Sequence, residues 1–219
     1  SLVGDDFKKV VTWKKFKEMK NVEFVEDEQE LLKRFVEIVK KEDPDCLVGY
    51  FSDGFDLPYL RERADKHKVK LNLGIDNSNV TLARGGRIGN AKITGIVHVD
   101  LFKFISTMFA PIMKTETLNL GDVAQELIGE KKAEFEFGSQ EKFSQKLHKE
   151  TELRKFASYN LQDSVLVFNL FNKLWPTMQE VTKVVGDTLF GTTRSGYSQL
   201  VEHYFMQHAS QFNELIPNR

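Results

Sequence analysis

The 219-residue sequence is 41% hydrophobic and 29% charged, a composition that fits a folded chain with a sizeable core and excludes an intrinsically disordered one. Its 31 lysines and arginines nearly balance 32 aspartates and glutamates, giving a formal charge of −1, so a global electrostatic footprint for duplex DNA is excluded and any nucleic-acid site must be local. One cysteine, Cys46, rules out an internal disulfide; no signal peptide is visible and no apolar run approaches the roughly 20 residues that span a bilayer, so a cytoplasmic protein without a membrane partner is expected.

Val10-Val11-Thr12-Trp13 reads as a strand after the turn-like Gly4-Asp5-Asp6, and Val22-Glu23-Phe24-Val25 alternates like a second, half-exposed one. Lys14, Lys15, Lys17 and Lys20 between them form a basic cluster, a pattern that is more often a solvated loop than a phosphate site. Asp27 caps a helix whose apolar face is Leu31, Leu32, Phe35, Ile38 and Val39. Glu30 stands where a capping box places it, Lys40 and Lys41 suit the helix dipole, and Asp43-Pro44 is the stop. Residues 46–50 are too short an apolar run for a helix and fit a fully buried parallel strand. A further helix follows, with Pro58 in its first turn and Leu57, Leu60 and Ala64 at helical spacing. Helix, parallel strand and helix in succession predict an α/β fold.

After a loop from Leu71 to Ser78, residues 80–83 and 91–94 flank Gly85-Gly86 and read as a β-hairpin. Ile96 to Leu101 reads as a buried strand and Phe102 to Phe109 as a helix, with His98 packed in the strand and Asp100 as the helix cap. Asn119 caps a short helix that Gly129 ends. Glu134-Phe135-Glu136-Phe137 alternates as a surface strand or loop. The longest helical pattern runs from Glu150 to Trp175 and meets Pro176; Tyr159 and Asp163 on it lie one turn apart on one face.

Asp56 stands past the carboxyl end of the 46–50 strand and at the start of a helix, where open α/β sheets place ligand and catalytic groups, although an aspartate there is most often an N-cap. The residues around it favour the first reading. Tyr50-Phe51-Ser52-Asp53-Gly54-Phe55-Asp56-Leu57-Pro58-Tyr59-Leu60 resembles the second exonuclease motif of family B DNA polymerases, Tyr-Asn-x-x-x-Phe-Asp-x-Pro-Tyr-Leu. Leu118 to Ala124 followed by Leu127 to Lys132 resembles the family's Leu-x-x-Val-Ala-x-x-x-Leu-Gly-x-x-Lys segment. Tyr159-Asn160-Leu161-Gln162-Asp163 resembles the third motif, Tyr-x-x-x-Asp, and the tail from Val184 resembles the end of the exonuclease domain in archaeal members.

The resemblance implies a ribonuclease H-like exonuclease fold, a mixed sheet flanked by helices, that hydrolyses the 3′-terminal nucleotide of single-stranded DNA as the proofreading step of replication. It implies Mg²⁺ or Mn²⁺ as cofactor, two ions roughly 4 Å apart held by carboxylates. On that mapping Asp56 and Asp163 are metal-site carboxylates, Tyr159 positions the attacking water, and Phe55 packs the frayed end. The expected organisation is a single exonuclease-like domain over residues 1–219. Residues 1–25 would be a remnant of the N-terminal strands, 26–175 the core, and 176–219 a helical part leading toward an absent palm domain.

Two departures stand out. The family's first motif, Asp-x-Glu, lies on the first strand of the sheet, well upstream of the position matching Trp13; no Asp-x-Glu occurs in residues 1–26. Those carboxylates are the family's principal metal ligands, so weak or absent metal binding is expected, together with a sheet that is open, filled by the rest of a polymerase, or completed by a second copy. Phe51 replaces the family's asparagine; an aromatic ring there can stack on a base instead. Three readings remain open: a proofreading exonuclease fragment, a catalytically silent remnant that binds single-stranded DNA or braces a polymerase, and a protein-interaction module that keeps the fold.

Overall fold

The computed structural model describes residues 1–83, 88–132 and 149–214. The expected Gly85-Gly86 turn, the alternating 134–137 segment and the last five residues lie outside them. In chain order the elements begin with β1 (Leu2–Gly4), β2 (Phe7–Thr12), β3 (Val22–Phe24), α1 (Glu28–Glu42), β4 (Cys46–Gly49) and α2 (Asp56–Lys66). Then come β5 (Thr81–Ala83), β6 (Asn90–Lys92), β7 (Val97–Asp100), α3 (Leu101–Met108), α4 (Leu120–Ile128) and the long α5 (Glu150–Val185). Short α6 (Leu189–Thr192), α7 (Tyr197–His208) and a 3₁₀ turn over Ala209–Phe212 close the chain.

The strands form three small sheets rather than one continuous one. β1 pairs antiparallel with β2, and β2 pairs parallel with β3. β4 pairs parallel with β7, Cys46 opposite Val97 and Gly49 opposite Asp100, while β5 and β6 make an antiparallel hairpin. No ladder joins the β1–β2–β3 sheet to the β4–β7 pair among the described residues, although β1, β2 and β4 all lie against α5. The mixed pairing is thus present, and β4 is parallel as its apolar run suggests. It is half-buried rather than fully buried, because only one of its edges is paired.

Caps account for most boundaries. The Asp27 carboxylate accepts from the Glu30 N–H at 2.8 Å, and Glu30 reaches back to the Glu26 N–H, one residue before the position a capping box requires. The Asn119 side chain accepts from the Asp122 N–H, and Gly129 ends α4 in a left-handed conformation. α5 corrects the sequence expectation: it runs through Pro176 and stops only at Gly186, at φ +72°. Proline inside a helix costs about 3 kcal/mol through the lost hydrogen bond and ring clash. Here Pro176 is exposed, while Leu166, Leu170, Leu174, Met178 and Val185 carry a buried stripe across it. Each such side chain is worth about 1.5–3 kcal/mol of burial, so the stripe outweighs the proline.

Two apolar cores flank the β4–β7 pair. Val39, Leu57, Ala64, Leu71 and Ile93 pack with Leu47 on one side; Val99, Phe104, Val123, Leu170 and Met178 pack with Val48 on the other. Adjacent β4 residues point to opposite faces, so this short strand fixes both cores at once and delivers the chain after Gly49 to the junction between them.

Candidate active site

The site has two halves, one built on the loop after β4 and one on α5. Asp100, the last residue of β7, is fully buried and caps α3 as its position suggests, accepting from the Phe102 N–H at 3.0 Å. The same carboxylate accepts from the Phe51 N–H and the Asp53 N–H, both at 2.9 Å, and so fixes the loop between β4 and α2. Burial pushes the Asp100 carboxyl above its ordinary range and the Asp53 charge adds to this, while the two loop N–H bonds oppose it.

Asp53 anchors the loop from below. Its side chain is completely buried and meets the Ala91 N–H at 2.7 Å, Lys103 Nζ at 2.8 Å and Arg194 Nε at 2.9 Å. Burial would raise its carboxyl, but bonds from His98, Lys103, Ala91 and Arg194 outweigh that and hold it well below the usual carboxylate range. His98 is a packed strand residue, 1% exposed, as expected. Its Nδ1 lies 3.0 Å from the Ala91 carbonyl oxygen, 3.3 Å from Asp53 Oδ1 and 3.0 Å from Arg194 Nη2, and its Nε2 lies 2.9 Å from the Ser52 hydroxyl.

Phe51 adopts φ +62°, the left-handed region that favours asparagine among side chains with a Cβ. The family's asparagine suits that backbone. Phe51 tolerates it because its ring lies over Gly54, where a Cβ would come within 2.5 Å of the ring, and meets Phe102 edge-on at 5.2 Å. Phe55 is the N-cap residue of α2 and makes no side-chain cap; its exposed ring stacks on Tyr59 at 5.6 Å, the planes 7° apart. Asp56 is therefore the first helical residue and not the cap. Its carboxyl is held above the ordinary range, first by partial desolvation and then by the Asp100 charge, with its own amide pulling the other way.

On α5, Tyr159 and Asp163 stand one turn apart as predicted, and Lys132 joins them. Lys132 Nζ sits 2.9 Å from Asp163 Oδ2 and 5.0 Å from the centre of the Tyr159 ring. Burial alone would lower the Lys132 ammonium, yet its bonds to Tyr159 and Asp163 hold it above its ordinary value. Asp163 Oδ1 is buried and has no hydrogen-bond partner among the described residues. Ser1 lies against α5, its hydroxyl donating to the Asn160 carbonyl at 2.8 Å. The structure thus sets Tyr159 and Asp163 one turn apart on α5, Phe51 and Phe55 on the loop after β4, and Asp56 at the start of α2. No hydrogen bond or ion pair joins Asp56 to Asp163 among the described residues.

A hard divalent cation takes about six oxygen ligands, several of them carboxylates. Among the described residues no group of three or more His, Cys, Asp or Glu could hold a metal ion. The orphaned Asp163 oxygen has the right chemistry, but an ammonium already compensates its partner oxygen. The described residues do not make a divalent-cation site by themselves.

The DNA polymerase family B exonuclease domain matches this sequence over residues 3–118. The chain belongs to that family. It is 32% identical to a DNA polymerase of Pyrococcus glycovorans, an alignment that covers all of this chain and 27% of that protein. It is also 32% identical to a DNA polymerase of Thermococcus litoralis, covering all of this chain and 12% of that one. The solved family B DNA polymerase of Pyrobaculum calidifontis superposes with a TM-score of 0.76 at 28% identity, over 88% of this chain and 24% of that chain. The exonuclease-domain chain therefore spans about a quarter or less of the length of these relatives. That likeness bears out the α/β exonuclease fold expected from the motifs.

Three residues of this exonuclease-domain site were not singled out by sequence reasoning. Lys132 closes a resembling segment but carries no mark of an ion pair 31 positions away. Arg194 reaches Asp53 across 141 positions, and no local pattern announces it. Asp53 reads as a turn residue in Ser-Asp-Gly, and only burial reveals it as an anchor.

Proposed function

We propose that this chain is the 3′-end-handling module of a family B DNA polymerase, the part that receives a single-stranded 3′ terminus for removal of its last nucleotide in proofreading. What supports the reading is Tyr159 and Asp163 one turn apart on α5, both in contact with Lys132, in a chain of this family. The Tyr159 hydroxyl orients the attacking water. The Phe51 and Phe55 rings pack the terminal bases, where stacking is worth about 1–3 kcal/mol per base and tolerates any sequence. Asp56 and Asp163 are this chain's carboxylates toward the Mg²⁺ or Mn²⁺ that the family uses, and hydrolysis needs further carboxylates beyond the described residues. The rest of a polymerase, or a second copy, supplies a strand that joins the β1 and β4 edges against α5.

The Lys132–Asp163 ion pair favours a second reading, in which the chain holds a strand without cutting it. One assay separates the two. A 5′-labelled single-stranded oligonucleotide is incubated with Mg²⁺ or Mn²⁺ and either the protein or its Asp163→Ala variant. Stepwise shortening from the 3′ end that the variant loses supports the nuclease reading. No shortening by a folded protein that still binds the strand supports the silent one, and a folded protein that neither cuts nor binds overturns both.

A further inference from the structure

The loop joining β2 to β3 carries Lys14, Lys15, Lys17 and Lys20, all exposed, with Glu18 as the one acidic residue among them. Lys9, Lys41, Lys103, Lys132, Lys155 and Lys183 each pair with a carboxylate, whereas Lys66, Lys68 and Lys70 do not among the described residues. The four loop lysines pair with none among the described residues. In a chain of net charge −1, four unpaired ammonium groups within seven residues create a local positive field that the composition as a whole conceals.

The loop is also tied down. Phe16 packs edge-on against Phe24 at 5.0 Å, the Lys14 N–H donates to Thr12 Oγ1 at 3.1 Å, and the Val22 N–H donates to the Met19 carbonyl at 3.2 Å. The Lys17 N–H donates to the Glu150 carboxylate, which fixes the loop to the first turn of α5. Tyr159 and Asp163 lie 9 and 13 residues further along that helix, about 14–20 Å at 1.5 Å per residue. Trp13, exposed at the start of the loop, offers a ring face beside the lysines.

We propose that Lys14, Lys15, Lys17 and Lys20 bind the phosphate backbone of a single strand several nucleotides before its 3′ end, with Trp13 stacking on a base between them. The proposal rests on reading the Tyr159–Asp163 region as the end site. Phosphate contacts of this kind position a strand without reading its sequence, and each makes binding more salt-dependent.

The test is fluorescence anisotropy of 5′-labelled oligothymidylates of about 4 and about 12 nucleotides, lengths that bracket the short end of single-strand site sizes. The protein is compared with a variant combining Lys14→Gln, Lys15→Gln, Lys17→Gln and Lys20→Gln; matched urea midpoints establish that these surface changes leave the fold intact. The 12-mer is expected to bind the variant at least about tenfold more weakly, with a log K against log salt slope shallower by roughly 2–3, at about 0.7 for each phosphate that is no longer neutralised. The 4-mer is expected to bind both proteins alike. A 12-mer indifferent to the variant, a 12-mer and 4-mer weakened equally, or no binding of the 12-mer to the protein overturns the proposal. A lysine-dependent 12-mer beside a 4-mer that does not bind at all supports the phosphate contacts and counts instead against the end-site reading.

Discussion

Asp53 and Asp163 are aspartates from the two halves of the candidate site, and the protein treats them in opposite ways. Asp53 has no solvent exposure and a full set of partners: two cations, a backbone N–H and the His98 ring. Asp163 keeps a 23% exposed side chain, one lysine on Oδ2, and a buried Oδ1 with no hydrogen-bond partner among the described residues. A buried charge is tolerated only when its hydrogen bonds are complete, so Asp53 serves the fold, whereas Asp163 retains unused bonding capacity. The loop half of the site is finished, and the helix half is left able to take a ligand.

Arg194→Met is expected to have the largest effect. It keeps the apolar stem but leaves Asp53 with Lys103 as its one remaining cation, and breaking a buried pair costs about 3–5 kcal/mol. Urea unfolding of the variant measures this, and a loss under about 1 kcal/mol would sink the claim that the Asp53 cluster secures the loop. Hydrogen exchange gives a local readout: the Phe51 and Asp53 amides, held by Asp100, should lose protection beyond what the global loss explains.

Acid titration comes next in size. Asp53's folded-state value lies below its unfolded one, so its stabilisation is complete above about pH 4 and is lost as pH falls below that. Asp56 and Asp100 lie above their unfolded values, so their ionisation costs stability and protonation returns it as pH falls through their folded-state values. Stability should hold or rise on leaving neutrality and then drop steeply below about pH 4. Asp53→Asn, which leaves both Lys103 and Arg194 without their buried carboxylate, should lose about 3–5 kcal/mol at neutral pH, as Arg194→Met does, and show a shallower acid limb. An unchanged acid limb in that variant would assign the drop to other carboxylates.

The contrast also explains what the sequence revealed. The caps made by Asp27, Asp100, Asn119 and Gly129 reach only a few residues along the chain, so these capping roles follow from the local sequence, whereas the hold of Asp100 on the Phe51 and Asp53 amides does not. Tyr159 and Asp163 were visible because helical spacing is local too. Arg194 and Lys132 act on carboxylates distant in sequence, and nothing near either residue encodes the partner. Pro176 misled for the same reason: the rule against proline in helices is local, and the stripe from Leu166 to Val185 that overrides it exists only once the core around Val99 and Phe104 is packed. Phe51 shows the opposite: its departure from the family's asparagine was plain in the sequence, yet its positive φ and the cover that Gly54 permits were not.

The smallest expected effect is the sharpest test of the comparison. Lys132→Met preserves the apolar stem beside the Tyr159 ring and removes only the ammonium, from a pair whose side chains are 30% and 23% exposed. Pairs this accessible contribute about 0–1 kcal/mol, because water competes for both charges and two long side chains must be held in place. Lys132→Met should therefore shift the urea midpoint by a small fraction of the Arg194→Met shift. It should also leave exchange at Phe51 and Asp53 unchanged, since no bond among the described residues links Lys132 to that loop. A loss comparable with that of Arg194→Met would mean that Asp163 is as deeply built into the fold as Asp53, and that the unbonded oxygen is a structural cost rather than a place kept for a ligand.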